Sequence, residues 1–275
     1  MKTATPLVTA AALLVAACAQ DTAPRALPVA TPTAHHQPSI SIGASGPLEP
    51  PPPRTPATYN SVNTTRPYVA LTFDDGPHPE LTPRLLDILR HEGVRATFYV
   101  IGRNVQTYPE IARRIVAEGH EIANHSWSHP RLPSLSAARL KSELSQTSDV
   151  IQRVTGRRPT NMRPPYGAIN ERVRQAIYRD HGLDVIIWSV DPLDWKRPGA
   201  EVVRRRLVEG AAPGGILLAH DIHPGTIDAM SGTIKDLKAK GYGFATVSQL
   251  LALQDHPSSP RTASPAAQEQ ATVVR

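Results

Sequence analysis

Cysteine is almost missing from this chain: a single one, Cys18, in 275 residues. That excludes an internal disulfide framework and any cysteine-rich metal site. Aromatic residues are also scarce, at 5 %. No basic stripe interleaved with aromatics runs through the sequence, so the net charge of +6 and pI of about 9.7 do not read as a nucleic-acid surface. Anionic envelope polymers or lipid headgroups suit that charge better. No Gly-rich phosphate loop follows the first strand, which argues against a nucleotide fold. No H-E-x-x-H is present, which argues against a zinc peptidase of that type.

What the chain does contain is proline, 28 residues of it, concentrated near the N-terminus. Residues 1–17 begin with Met1-Lys2 and carry a short apolar run over 7–17, too short to span a bilayer as a mature helix. This is the pattern of a secretory signal. Val15-Ala16-Ala17-Cys18 resembles a bacterial lipobox, which implies cleavage before Cys18 and a diacylglyceryl group on its sulfur. Residues 18–66 are rich in Pro, Ala, Thr and Ser, and read as a partly extended tether. Residues 254–275 are polar and low in complexity, and read as a disordered tail.

Between them, residues 67–253 alternate strand and helix patterns. A strand is expected at 68–73, then a helix with Thr82 as its cap, Pro83 at its first position and Gly93 at its end. Further strands are expected at 96–101, 121–123, near 162, and at 184–190, 215–220 and 244–247. Helices open at Pro109, at Ser136 and Asn170 as caps, and run over 200–209 and 226–240. About seven βα units of this kind make an α/β fold with parallel strands, either closed as a barrel or open and doubly wound. Polar clusters fall at the C-terminal ends of the strands, where a (β/α) barrel gathers its chemistry.

Five such clusters stand out. Thr72-Phe73-Asp74-Asp75-Gly76-Pro77 puts two carboxylates where a buried strand ends. His125 and His129 stand four apart, one turn if helical. Arg163-Pro164-Pro165-Tyr166-Gly167, Asp191 to Trp195, and Leu218-Ala219-His220 follow. Taken singly, each has an ordinary reading: turn, surface loop, rigid proline loop, capped turn, strand end. Together, one carboxylate and an H-x3-H pair form a ligand set for a catalytic zinc-like ion with a position left for water, and the second carboxylate remains as a general base.

The ordered series TFDDGP, HxxxH, RxPY, DxxDW and LxH resembles the polysaccharide deacetylases of the NodB-homology type, carbohydrate esterase family 4, across nearly all of residues 67–253. The resemblance implies a distorted (β/α) barrel of about seven parallel strands. It implies Asp75, His125 and His129 as ligands of a divalent metal, Zn²⁺ with Co²⁺ also admitted. By the same resemblance Asp74 is the base and His220 the acid that protonates the departing amine. Arg163 then partners Asp74, and Asp194, ahead of Asp191, partners His220. The backbone N–H of Tyr166 would hold the oxyanion, and Trp195 and Leu218 would line the acetyl pocket. The implied activity is N-deacetylation of an N-acetylglucosamine-containing polysaccharide in the bacterial envelope. Peptidoglycan leads, with chitin oligomers and exopolysaccharide as other substrates. An acetyl-xylan-type O-deacetylase and a non-catalytic glycan-binding lipoprotein are the alternatives. The expected partners are the acetylated glycan and, through Cys18, a membrane.

Overall fold

The computed structural model describes residues 57–255. Cys18, the signal segment, most of the tether and the tail beyond residue 255 lie outside the described residues. Among those described, no helix is long and apolar enough to cross a membrane.

Among the described residues there are eight strands: β1 Thr58–Tyr59, β2 Tyr68–Asp74, β3 Thr97–Val100, β4 Glu121–Asn124, β5 Asn161–Met162, β6 Asp184–Ile186, β7 Ile216–His220 and β8 Gly243–Phe244. They form one sheet in the order β1-β6-β5-β4-β3-β2-β7, with β8 on β2, and every strand pairing is parallel. After β6 the chain continues to Val190, which bridges Leu217 of β7. The stretch that follows β6 thus reaches β7 at the other end of the path, and the sheet closes as a distorted α/β barrel. Purely parallel sheets need cover on both faces, which is why β2 is a run of buried residues from Val69 to Asp74 rather than an alternation.

The cover comes from α1 Leu81–Glu92, α2 Gly102–Thr107, α3 Pro109–Ala117, α4 Ala137–Thr155, α5 Glu171–His181, α6 Ala200–Gly210, α7 Pro224–Ala239 and α8 Val247–Leu251. On α1, Leu85, Leu86 and Leu89 are fully buried in one cluster with Phe73 and Phe98. Each such side chain stabilises the fold by about 1.5–3 kcal/mol relative to exposure. The helix ends follow the expected chemistry. The Ser136 and Asn170 side chains accept from Arg139 and Val173 N–H, and Gly93, Gly156 and Gly182 close their helices in the left-handed conformation.

Several expectations shift. The folded region begins about ten residues before the expected boundary at 67, because Thr58 and Tyr59 pair with Val185 and Ile186 and Val62 is buried. A two-residue strand inside a proline-rich stretch leaves no periodic signature. The strand expected over 184–190 is regular only to Ile186, since the chain leaves β1 after Ile187 to reach β7 at Val190. The last strand is Gly243–Phe244, and Val247 instead opens α8 behind a Thr246–Gln249 capping box. Helix α1 starts at Leu81, so Thr82 lies within its first turn rather than at its cap.

Candidate active site

The site is assembled from neighbouring strand ends. Asp74 is the last residue of β2 and is directly paired with His220, the last residue of β7. On the other side of β2, β3 leads to β4, which ends one residue before His125. Beyond it, β5 ends one residue before Arg163, whose N–H donates to Asn124 O at 3.0 Å. Parallel register thus brings residues up to 146 positions apart in sequence to one rim.

Asp75 sits in the turn after β2 at φ 76°, a left-handed conformation unusual for a residue with a Cβ. Its Oδ1 lies 3.4 Å from His125 Nε2 and 3.2 Å from His129 Nε2. That oxygen is buried and has no hydrogen-bond partner among the described residues. Buried carboxylate oxygens rarely go unpartnered, and one held between two imidazole nitrogens fits a cation site. The tautomer fits too. His125 Nδ1 lies 2.7 Å from the Arg163 carbonyl, so Nδ1–H donates there and Nε2 presents its lone pair. Asp75, His125 and His129 are the one cluster of three such ligand atoms among the described residues.

Burial pushes the Asp75 carboxyl up, but the close approach and charge of His125, with the charges of His129 and His220, outweigh it and hold Asp75 well below the usual carboxylate range.

The histidine pair does not lie on a helix. Residues 125–129 form a loop, with Ser126 and His129 at positive φ, 65° and 61°. Side chains hold that shape. Asn124 Oδ1 accepts from Ser126 N–H at 2.8 Å, and Ser126 Oγ accepts from His129 N–H at 3.1 Å. The buried Glu143 carboxylate of α4 accepts from Ser128 N–H and Ser128 O–H, each at 2.8 Å.

The remaining carboxylate, Asp74, is 3 % exposed. Arg163, fully buried, donates to Asp74 Oδ1 at 2.7 Å, and its ring-side face stacks on Tyr99. Asp74 Oδ2 is left facing His125 Nε2, 3.7 Å away. Across the rim, His220 Nδ1 lies 2.8 Å from Asp194 Oδ1, while Asp194 Oδ2 accepts from His220 N–H and Thr226 O–H, each at 2.8 Å. Burial opposes the charged imidazole, but the hydrogen bond and charge of Asp194 win and raise His220 to about 9. Asp191 instead accepts from Leu193 N–H.

Asp74, Asp75, His125, His129, Asp191 and His220 line one cleft of about 430 Å³, together with Tyr166, Trp188, Trp195 and Leu218, while Arg163 and Asp194 stand behind it, bonded to Asp74 and His220. Tyr166 sits at φ 62°, with its ring 4.6 Å from that of His129, and both Tyr166 and Trp195 are exposed at the mouth. The structure therefore brings together every expected site residue that it describes. Trp188 and His223 also line the cleft without having been assigned a role from sequence. Trp188 had no motif around it. His223 was visible as the third residue after His220, and its ring lies 5.9 Å from that ring.

The polysaccharide deacetylase family model matches residues 61–186. The peptidoglycan-N-acetylmuramic acid deacetylase PdaC of Bacillus subtilis is 43 % identical over 190 residues, covering 69 % of this chain and 40 % of that protein. The chitooligosaccharide deacetylase of a Bradyrhizobium species is 39 % identical over 207 residues, covering 70 % of this chain and 94 % of that one. Among solved structures, a T48 deacetylase with substrate matches with a TM-score of 0.66 at 40 % identity, covering 70 % of this chain and 94 % of that chain. A family 4 carbohydrate esterase pseudoenzyme from Bacillus anthracis matches with a TM-score of 0.69 at 31 % identity, covering 74 % and 72 %. The chain belongs to the polysaccharide deacetylase family, carbohydrate esterase family 4. It spans about 40 % of the length of the Bacillus subtilis relative.

Proposed function

We propose that this chain hydrolyses acetamido groups on an N-acetylglucosamine-containing polysaccharide, with peptidoglycan as the main substrate, and releases acetate. One observation carries the reading. Beside the three-ligand cluster stand two separately partnered groups, Asp74 held by Arg163 and His220 held by Asp194. Because the family includes a pseudoenzyme, membership alone does not argue for turnover. A protein that only binds glycan needs neither a positioned base nor a positioned acid.

Asp75, His125 and His129 would hold a divalent metal, Zn²⁺ or Co²⁺, which when bound supplies an acidified water and polarises the amide carbonyl. Asp74 takes the water proton at Oδ2, since Oδ1 is occupied by Arg163. His220 gives a proton from Nε2 to the departing amine, since Nδ1 is engaged by Asp194. An amine leaves poorly unless protonated, so the high proton affinity that Asp194 confers serves the step. The Tyr166 N–H would receive the developing oxyanion, and Trp195 and Leu218 would enclose the acetyl methyl.

The envelope setting is part of the same proposal. Cys18 would carry the lipid, and the proline-rich segment would tether the domain to its membrane. The names of the relatives support both peptidoglycan and chitooligosaccharide as substrates.

The test is acetate release from peptidoglycan, chitin oligomers and acetylated xylan, by protein stripped with chelator and then reloaded with Zn²⁺. Zn²⁺-dependent release from peptidoglycan is expected. Release from xylan alone would favour the O-deacetylase reading. Zn²⁺ uptake with no release from any glycan would leave a binding protein.

A further inference from the structure

Asp221 follows the acid histidine, is fully buried, and has no place in the chemistry just described. Its carboxyl does two things. Oδ2 accepts from Thr82 O–H at 2.5 Å, and the same Thr82 oxygen accepts from His78 N–H at 2.7 Å. The carboxyl also lies against the Gly76 backbone. A Cβ placed on Gly76 would stand 2.3, 2.5 and 2.8 Å from Asp221 Oδ2, Oδ1 and Cγ. Position 76 is therefore a glycine because the Asp221 carboxyl occupies the space of its side chain. The Asp221 N–H meanwhile reaches Asp74 O at 3.4 Å.

These contacts bracket Asp75 on both sides. Asp75 holds a left-handed backbone, of a kind that persists only where the surroundings over-determine it. Its N–H donates to Tyr99 O at 3.2 Å, and its carbonyl accepts from Asn104 Nδ2 at 2.9 Å. Neither contact ties the turn to β7, where the acid sits. Asp221 does so, at Gly76 and through Thr82 to His78.

Resting on the metal reading above, we propose that Asp221 is a positioning residue. It clamps the turn over residues 75–78 to the end of β7, and so sets Asp75 for metal binding. It touches neither substrate nor metal in this role. Substitution of a group that orients a ligand from behind typically costs about 10–100-fold in metal affinity or activity.

The experiment titrates Zn²⁺ into chelator-stripped full-length protein and records the visible absorption spectrum with Co²⁺. The proteins are wild type, Asp221→Ala, Asp221→Asn and Thr82→Val. Asp221→Ala should lose about 10–100-fold in Zn²⁺ affinity, change the Co²⁺ spectrum, and lower kcat with little change in KM. Asp221→Asn keeps the planar shape against Gly76 and an oxygen for Thr82, so it should restore most of the affinity. Thr82→Val breaks the same bond from the helix side, without emptying the space at Gly76. It should fall between the two, and it stands in for Asp221→Ala should that protein not fold.

Wild-type affinity and spectrum in Asp221→Ala, or in Thr82→Val as its stand-in, with only a lower Tm, overturn the positioning role. So does an Asn variant as impaired as Ala. A wild type that takes up no Zn²⁺ overturns the metal reading itself, an outcome distinct from equal uptake by wild type and variant.

Discussion

Two histidines at opposite ends of the barrel show what a partner does to a buried imidazole. His220 closes β7 at the cleft, and Asp194 raises it to about 9 against the pull of burial. His120 lies just before β4 at the far end, 6 % exposed, with its ring edge-on to Phe98. Its Nδ1 accepts from Ala96 N–H at 3.1 Å, and its Nε2 has no hydrogen-bond partner among the described residues. There burial dominates. The charge of Glu118 opposes it only weakly, and His120 falls to about 4. Desolvation acts in the same direction on both rings, and a bonded carboxylate reverses its outcome on one of them. At neutral pH the cleft therefore holds a proton donor, while the opposite end holds a neutral packing ring.

The strongest way to break this contrast is to remove the donor. His220→Ala should lower amide hydrolysis by about 10²–10⁴-fold, the usual worth of a general acid. Hydrolysis of an activated aryl acetate, whose leaving group needs no proton, should fall far less. Equal losses on both substrates would mean that His220 shapes the cleft and does not protonate. Steady-state rates on the two substrates decide it.

Removing the partner is the next step down. With Asp194 in place, activity should hold through neutral pH and fall as pH rises through about 9. Asp194→Asn should move that alkaline limb toward the ordinary imidazole value of about 6.5, with Zn²⁺ uptake retained. The same pair bears on stability. A histidine raised on folding stabilises fully below its unfolded value, and that contribution is lost as pH rises from about 6.5 through the folded value. Denaturant melts across this window should flatten in the Asn variant. An alkaline limb that stays in place would assign it to another group.

The smallest effect is expected at the far end. His120→Leu should leave kcat and KM unchanged, yet lose about 1–3 kcal/mol because Ala96 N–H is left without its acceptor. The sign of its pH dependence is opposite. A histidine lowered on folding destabilises as pH falls below its unfolded value, so wild type should lose stability from about 6.5 downward, until the folded value is reached. The Leu variant should lack that slope. A fall in kcat would show that the two ends of the barrel are coupled.

The rim that carries His220 was far more legible in the sequence than what holds it in place. Strand ends marked by Asp74-Asp75, His125, Arg163 and His220 could be read because each lies next to a buried strand or a proline loop. Thr82 could not. Its place before Pro83 suggested a helix cap, and its hydroxyl instead reaches Asp221, 139 residues away. Glu143 resembles any helical glutamate, yet its carboxylate braces the loop between His125 and His129. The four-residue spacing of His125 and His129 suggested a helical turn, but the loop owes its shape to Asn124, Ser126 and Glu143. Local pattern carries period and turn chemistry. It does not carry bonds between distant elements, and those bonds set the geometry here.

Arg163 serves the site twice, by two different chemical parts. Its guanidinium holds Asp74, while its backbone carbonyl fixes the tautomer of His125. Only the first is encoded by the identity of the side chain, because every amino acid supplies the same carbonyl. A single codon change at 163 can therefore uncouple Asp74 and still spare the orientation of His125. The hold on Asp74 and the orientation of His125 are then separable in descent, and a lineage can lose the first while keeping the second.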